Sequence, residues 1–177
     1  MTSPDGCRCA YCKNETQFDI PSHLIEELQN NNVVVFAGAG ISTENRDYAK
    51  DTFYDTIAHE LNTNDKRSFS EIMEAYCKQP DGRIKLIKKL RERLAYFISF
   101  SDFYRPMTRF HRAITSLYMI KNIITTNWDD FFERACDFDA FVNDSDMALW
   151  EASDRRLMKI HGSIRNLGSI VATEQDY

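Results

Sequence analysis

Five consecutive apolar residues, Val33-Val34-Val35-Phe36-Ala37, run straight into Gly38-Ala39-Gly40. The run is too short for a helix and lacks the alternation of a half-solvated strand. It reads as a β-strand buried on both faces of a parallel sheet. A small-residue turn directly behind such a strand belongs to an α/β layer architecture, in which strands alternate with helices.

The rest of the chain repeats that alternation. Pro21 to Asn30 has Leu24, Ile25 and Leu28 at helical spacing. Thr52 to Leu61 reads as helix, and Ser68-Phe69-Ser70-Glu71 has the spacing of a capping box ahead of another. After the turn Pro80-Asp81-Gly82, a longer helix carries Ile84, Ile87, Leu90, Leu94 and Phe97 at steps of three and four. A helix from Met107 to Tyr118 leads into a strand at Asn122 to Thr126, and Trp128 to Cys136 is again helical. Further strands are expected at Ala140 to Asn143, Arg156 to Ile160 and Ser169 to Thr173. The predicted fold is α/β, a largely parallel sheet with helices on both faces. Residues 1–20 form a polar, cysteine-containing tail and residues 21–177 one domain.

Charge and cysteine content narrow the partners. Twenty-two Lys+Arg against twenty-seven Asp+Glu give a formal charge of -5, a field that repels polyanions, so nucleic acid is not an expected partner. Apolar runs fall far short of the roughly 20 residues of a membrane span. The N-terminus lacks the apolar core of a signal peptide, so a cytoplasmic location is expected. The five cysteines, three of them crowded at Cys7, Cys9 and Cys12, do not form a secreted disulfide framework. A solvated tail is the favoured reading of the trio, because zinc would need a fourth donor such as His23. No metal is expected to take part in the chemistry.

Three polar clusters sit where predicted strands end: Gly38 to Ser42, Thr125 to Asp130 and His161 to Ser163. Open α/β sheets bind ligands in the crevice at the carboxyl ends of their strands, so the clusters are expected to converge on one edge. Gly38 and Gly40 permit close approach of a pyrophosphate, or else mark only a tight turn. Asn127 and Asp129 suit ribose hydroxyls or a held water; N-capping of the next helix explains one of Asn127, Asp129 and Asp130 but not all three. His161 is placed to accept a proton near neutral pH. His23, His59 and His111, inside predicted helices, read as packed or surface residues.

Gly38-Ala39-Gly40-Ile41-Ser42, Thr125-Thr126-Asn127-Trp128-Asp129 and Lys159-Ile160-His161-Gly162-Ser163, in this order, resemble the three signature blocks of the sirtuin family. The resemblance implies a Rossmann-like NAD-binding domain. Asn127, Asp129 and His161 would be the catalytic residues, and Gly38, Ala39, Gly40, Ile41, Ser42, Thr126, Asn127, Asp129, Gly162 and Ser163 would contact NAD.

Deacylating sirtuins follow the first block with Gly-Ile-Pro-x-Phe-Arg and carry a four-cysteine zinc ribbon behind the histidine block. Here the first block runs into Thr43-Glu44-Asn45-Arg46-Asp47-Tyr48, and no cysteine follows Cys136. The remainder, with Ser169 to Thr173 and Asp176-Tyr177, is similar to the sirtuin-like NAD hydrolases of bacterial anti-phage defence. That branch implies NAD as substrate, nicotinamide and linear or cyclic ADP-ribose as products, and a homo-oligomer or sensor partner. It also implies a mobile lid over Thr43 to Tyr54. The family's later strands have no match here, so the domain is expected to be incomplete at its C-terminus. An NAD-dependent protein deacylase and a silent NAD or ADP-ribose binding module are the alternatives.

Overall fold

The computed structural model describes residues 19–42, 51–63 and 67–177. The Cys7, Cys9 and Cys12 trio, and residues 43–50 of the expected lid, lie outside these described residues.

Four short strands form one sheet: β1 (Val34–Ala37), β2 (Asn122–Thr125), β3 (Asp139–Phe141) and β4 (Arg156–Lys159). Their order is β1-β2-β4-β3, and every neighbouring pair is parallel. The register aligns Ala37 with Thr125 and Thr125 with Lys159, so three strands end at one level. The chain therefore delivers its three polar clusters to the same edge of the sheet.

One face of the sheet packs on helices α1 (Ser22–Gln29), α6 (Arg109–Thr115) and α7 (Phe131–Ala135). Ala37, Ile123 and Leu157 meet Phe132, Leu28 and Ile114 there in a compact apolar cluster. The other face is covered beside β3, where Phe141 packs edge-on against Trp150 behind α8 (Asp144–Met147). Val34 and Phe36 point to that second face and are 52% and 66% exposed. The expectation that the first strand is buried on both faces fails for this reason: β1 is an edge strand among the described residues, and only its Val35 and Ala37 side meets the core.

A second cluster joins α2 (Phe53–Glu60), α3 (Phe69–Cys77), α4 (Gly82–Ser99) and α5 (Ser101–Met107). Capping boxes at Thr52 with Asp55 and at Ser68 with Glu71 start α2 and α3 by pairing backbone donors that an uncapped helix leaves unmet. Along α4 the buried stripe is Leu86, Leu90, Leu94 and Phe97. Ile84, expected on that stripe, is 70% exposed.

Ser169 to Thr173 is not a strand. Its donors and acceptors are taken elsewhere: Val171 N donates to His161 O (2.9 Å), and Ala172 N and Thr173 N both donate to the Asp176 carboxylate (2.8 and 2.9 Å). Arg83 in turn binds Ile170 O and pairs with Asp176 at 2.9 Å. With its backbone groups spent this way, the segment forms a strap across the helical cluster, where Ile170 and Ala172 are buried. The turn that admits the strap depends on Gly162, whose φ is +88°; a Cβ there would lie 2.1 Å from Ser169 O.

Candidate active site

Hydrogen bonds beyond the strand ends lock the three loops together. Thr125 Oγ1 donates to Ala37 O (2.9 Å) and accepts from Asn127 N (3.0 Å), while Thr126 N donates to Ala37 O (3.3 Å). On the other side Ile160 N donates to Thr125 O (3.0 Å), which seats His161 beside the β2 loop. A cavity of about 270 Å³ opens at this edge. Ala39 and Ser42 line it from behind β1, Thr126, Asn127 and Asp129 from behind β2, and His161 from behind β4.

Ser42 is the hub of the polar wall. It is buried, and its Oγ accepts from Asn127 Nδ2 (2.8 Å) and lies 3.2 Å from His111 Nε2. Burial raises the pKa of the Asp129 carboxyl, and the nearby Ser42 hydroxyl is among the groups that oppose this. Asn127 Oδ1, with its nitrogen committed to Ser42, is buried without a partner among the described residues. A buried acceptor left unpaired costs roughly 1–3 kcal/mol.

The structure divides the three residues for which capping was the competing account. Asp129 Oδ1 accepts from the backbone N of Phe131, the first residue of α7, at 3.1 Å, while Asp130 holds the N-cap position without a side-chain cap bond. Asp130 holds Arg134 (2.8 Å) and Arg165 (3.1 Å), two guanidinium groups that help keep its carboxyl below the usual range against the opposing effect of burial. Asn127 takes part in neither; its side chain turns toward Ser42.

Beneath the loop, Lys159 has a fully buried ammonium that binds Asp129 O and pairs with Glu133 at 3.0 Å. Burial pushes both the Asp129 and Glu133 carboxyls up, and the Lys159 charge opposes this. One cation thus holds two desolvated acids in place. His161, half-buried, accepts or donates through Nε2 to Tyr177 Oη at 2.9 Å, and burial lowers its pKa from 6.5. The imidazole is therefore neutral at neutral pH and able to take a proton.

Aromatic and aliphatic residues line much of the rest of the cavity, with Thr52, Ser70 and Arg93 among them. Trp128 stands edge-on to Phe53, with centroids 6.3 Å apart, and tilts against Phe69 at 5.6 Å. Leu90, Leu94, Val171 and Ala172 belong to the same lining. A polar strip alongside an aromatic chamber suits a ligand with a sugar at one point and a flat ring beside it.

Of the residues singled out from sequence, Ala39, Ser42, Thr126, Asn127, Asp129 and His161 share the cavity wall. Gly38, Gly40 and Ile41 form the adjoining turn, a single 3-10 helix turn over Ala39–Ile41 rather than the start of a longer helix. Gly38 has an ordinary extended backbone, and a Cβ on Gly40 would meet nothing within 4 Å, so neither glycine is required by its own conformation. Gly162 and Ser163 are buried behind the wall, where Ser163 N donates to Ser169 Oγ at 3.0 Å. Sequence reasoning missed His111, Lys159 and Tyr177. Lys159 carried a signal: it shares the inward parity of Leu157, and an inward lysine must be paired.

Residues 121–177, which carry both the Asn127 and the His161 loops, match the family described as SIR2-like domain. The chain is also a distant homologue of the NAD(+) hydrolase ThsA of Acinetobacter baumannii (strain 532279). The two are 25% identical over 162 residues, covering 87% of this chain and 32% of that relative. The chain thus spans about a third of the relative's length. No helix among the described residues is long and apolar enough to cross a membrane.

Proposed function

We propose that this chain cleaves the bond between nicotinamide and ribose in NAD. The observation that carries the reading is the meeting of three sequence-distant loops around one cavity lined by Asn127, whose buried Oδ1 has no partner among the described residues, and by His161, whose imidazole burial keeps neutral. The distant homology to an NAD(+) hydrolase supports the choice of substrate.

In NAD the leaving group is a cationic pyridinium. As its bond to C1′ breaks, the electron pair moves to the ring nitrogen and nicotinamide departs neutral, so no general acid is needed. The protein has to orient the ribose, stabilise the developing oxocarbenium charge and admit a nucleophile. Asn127 Oδ1 accepts from a ribose hydroxyl or the attacking water, and the Asp129 carboxyl, fixed by Phe131 N, supplies negative potential nearby. His161 Nε2 exchanges Tyr177 for the nucleophile and takes its proton as oxygen bonds to C1′. The turn from Gly38 to Ser42 receives the pyrophosphate, the loop at Gly162 and Ser163 shapes the His161 side, and the Trp128, Phe53 and Phe69 chamber takes the nicotinamide. Water as nucleophile gives ADP-ribose; an internal attack gives its cyclic form. Consumption of NAD in antiviral defence, as a homo-oligomer or with a sensor partner, is the biological role this chemistry would serve.

The test is to incubate the purified chain with NAD and separate the products. Release of nicotinamide with ADP-ribose or cyclic ADP-ribose supports the reading. Binding without release points to a silent module and contradicts it, as does acetyl transfer from an acetyl-lysine peptide without free NAD cleavage. The same assay has a predicted pH dependence. A base acts only when deprotonated, and His161 titrates below 6.5. The rate is expected to be flat around neutral pH and to fall as the pH is lowered through a midpoint below 6.5. An acid limb centred above pH 7 would remove His161 from that role.

A further inference from the structure

We infer that His111, on α6, is a positioning residue of this site: as an Nε2–H donor to Ser42 it fixes which end of the Asn127 amide is left free for a ligand. His111 is fully buried, its ring 4.5 Å from that of Phe132 and 5.6 Å from that of Phe131. His111 is not among the described residues that line the cavity, and its bond to Ser42 links it to that wall.

The hydrogen-bond inventory leaves one consistent arrangement. A hydroxyl has one proton and two lone pairs. Asn127 Nδ2 and His111 Nε2 converge on Ser42 Oγ. An amide nitrogen only donates, so Asn127 Nδ2 takes one lone pair and leaves the hydroxyl one further lone pair and its proton. That further lone pair accepts from His111 Nε2. His111 must carry its proton on Nε2, because Nδ1 has no partner among the described residues and a proton there would be a buried, unmet donor.

Charge points the same way. Burial, joined by the nearby charges of Arg112 and Lys159, holds the imidazole neutral, with a pKa of about 4. It therefore has one proton to place. Without the Nε2–H donor, one lone pair of Ser42 is unfilled, the hydroxyl is free to rotate toward Asn127, and the amide flips. The flip would present Nδ2 instead of Oδ1 to the ligand and remove the acceptor that the proposed chemistry requires.

The catalytic half of this inference rests on the NAD-cleavage reading; the tautomer does not. Two variants separate position from packing. His111→Phe keeps an aromatic ring and loses the donor, whereas His111→Gln places an amide N–H at the reach of Nε2. In the nicotinamide-release assay the Phe variant is expected to lose about 100-fold in kcat, with KM for NAD changed much less, and the Gln variant to recover to within about threefold of the parent. Equal rates for the two variants would overturn the inference. Long-range 1H–15N NMR of the unmodified chain reads the tautomer directly. An Nε2–H form of His111 is expected, and an Nδ1–H form would overturn the proposal even if NAD cleavage occurs. If the parent releases no nicotinamide, the NAD-cleavage reading fails while the tautomer still decides the network.

Discussion

Lys159→Met is expected to lower the unfolding free energy by about 3–5 kcal/mol, the usual consequence of removing one partner from a buried ion pair. The ammonium is fully buried and its two bonds, to Asp129 O and Glu133, have no solvent substitute. Its removal leaves an unpaired carboxylate on α7 and frees the loop that carries Asn127 and Asp129. Since domains of this size are stable by roughly 5–15 kcal/mol, the loss is a large share of the total. The double variant Lys159→Met with Glu133→Leu is expected to recover much of it, because an apolar pair of similar volume avoids the desolvation cost. Urea unfolding of both proteins measures this. A Lys159→Met variant within about 1 kcal/mol of the parent would show that the pair does not anchor the site.

His161→Ala is expected to reduce nicotinamide release by about 10²–10⁴-fold, the range for loss of a general base. Stability should change little, since the ring is half-buried and its side-chain hydrogen bond is to Tyr177, itself 81% exposed. The two expected effects are thus separable: the loss at Lys159 falls on the fold on which the site stands, and the loss at His161 on the proposed chemistry. Comparing kcat with the urea midpoint for the same sample checks the second claim. A folded His161→Ala protein that turns over at near-parental rate would exclude the imidazole as base.

The sequence pattern and the structure agree on the parallel α/β sheet because its signals are local. A β-branched run ending in glycine, capping residues three apart and polar clusters behind each strand are all properties of a few consecutive residues. Strand order is not local. Val33 to Ala37 reads as doubly buried, yet nothing within those five residues records that β1 lies at the edge of the sheet, which is what exposes Phe36. Ser169 to Thr173 has strand composition, but Asp176 and His161 take its backbone donors from other positions in the chain.

The site divides in the same way. Asn127, Asp129 and His161 stand out because polar residues behind buried strands are conspicuous. His111 does not, since a histidine on a helix has the spacing of a core residue, and its bond to Ser42 spans 69 positions. Tyr177 comes to His161 only through the strap that Gly162 and Asp176 shape.

The most direct measurement is a titration of the 15N-labelled chain with NAD, following the backbone amides of Gly40, Asn127 and His161. If one dinucleotide spans the three loops, all three signals move along a single saturation curve, and ADP-ribose moves Gly40 and Asn127 in the same direction. Signals that stay fixed, or that saturate at different NAD concentrations, would mean that the loops do not share a ligand.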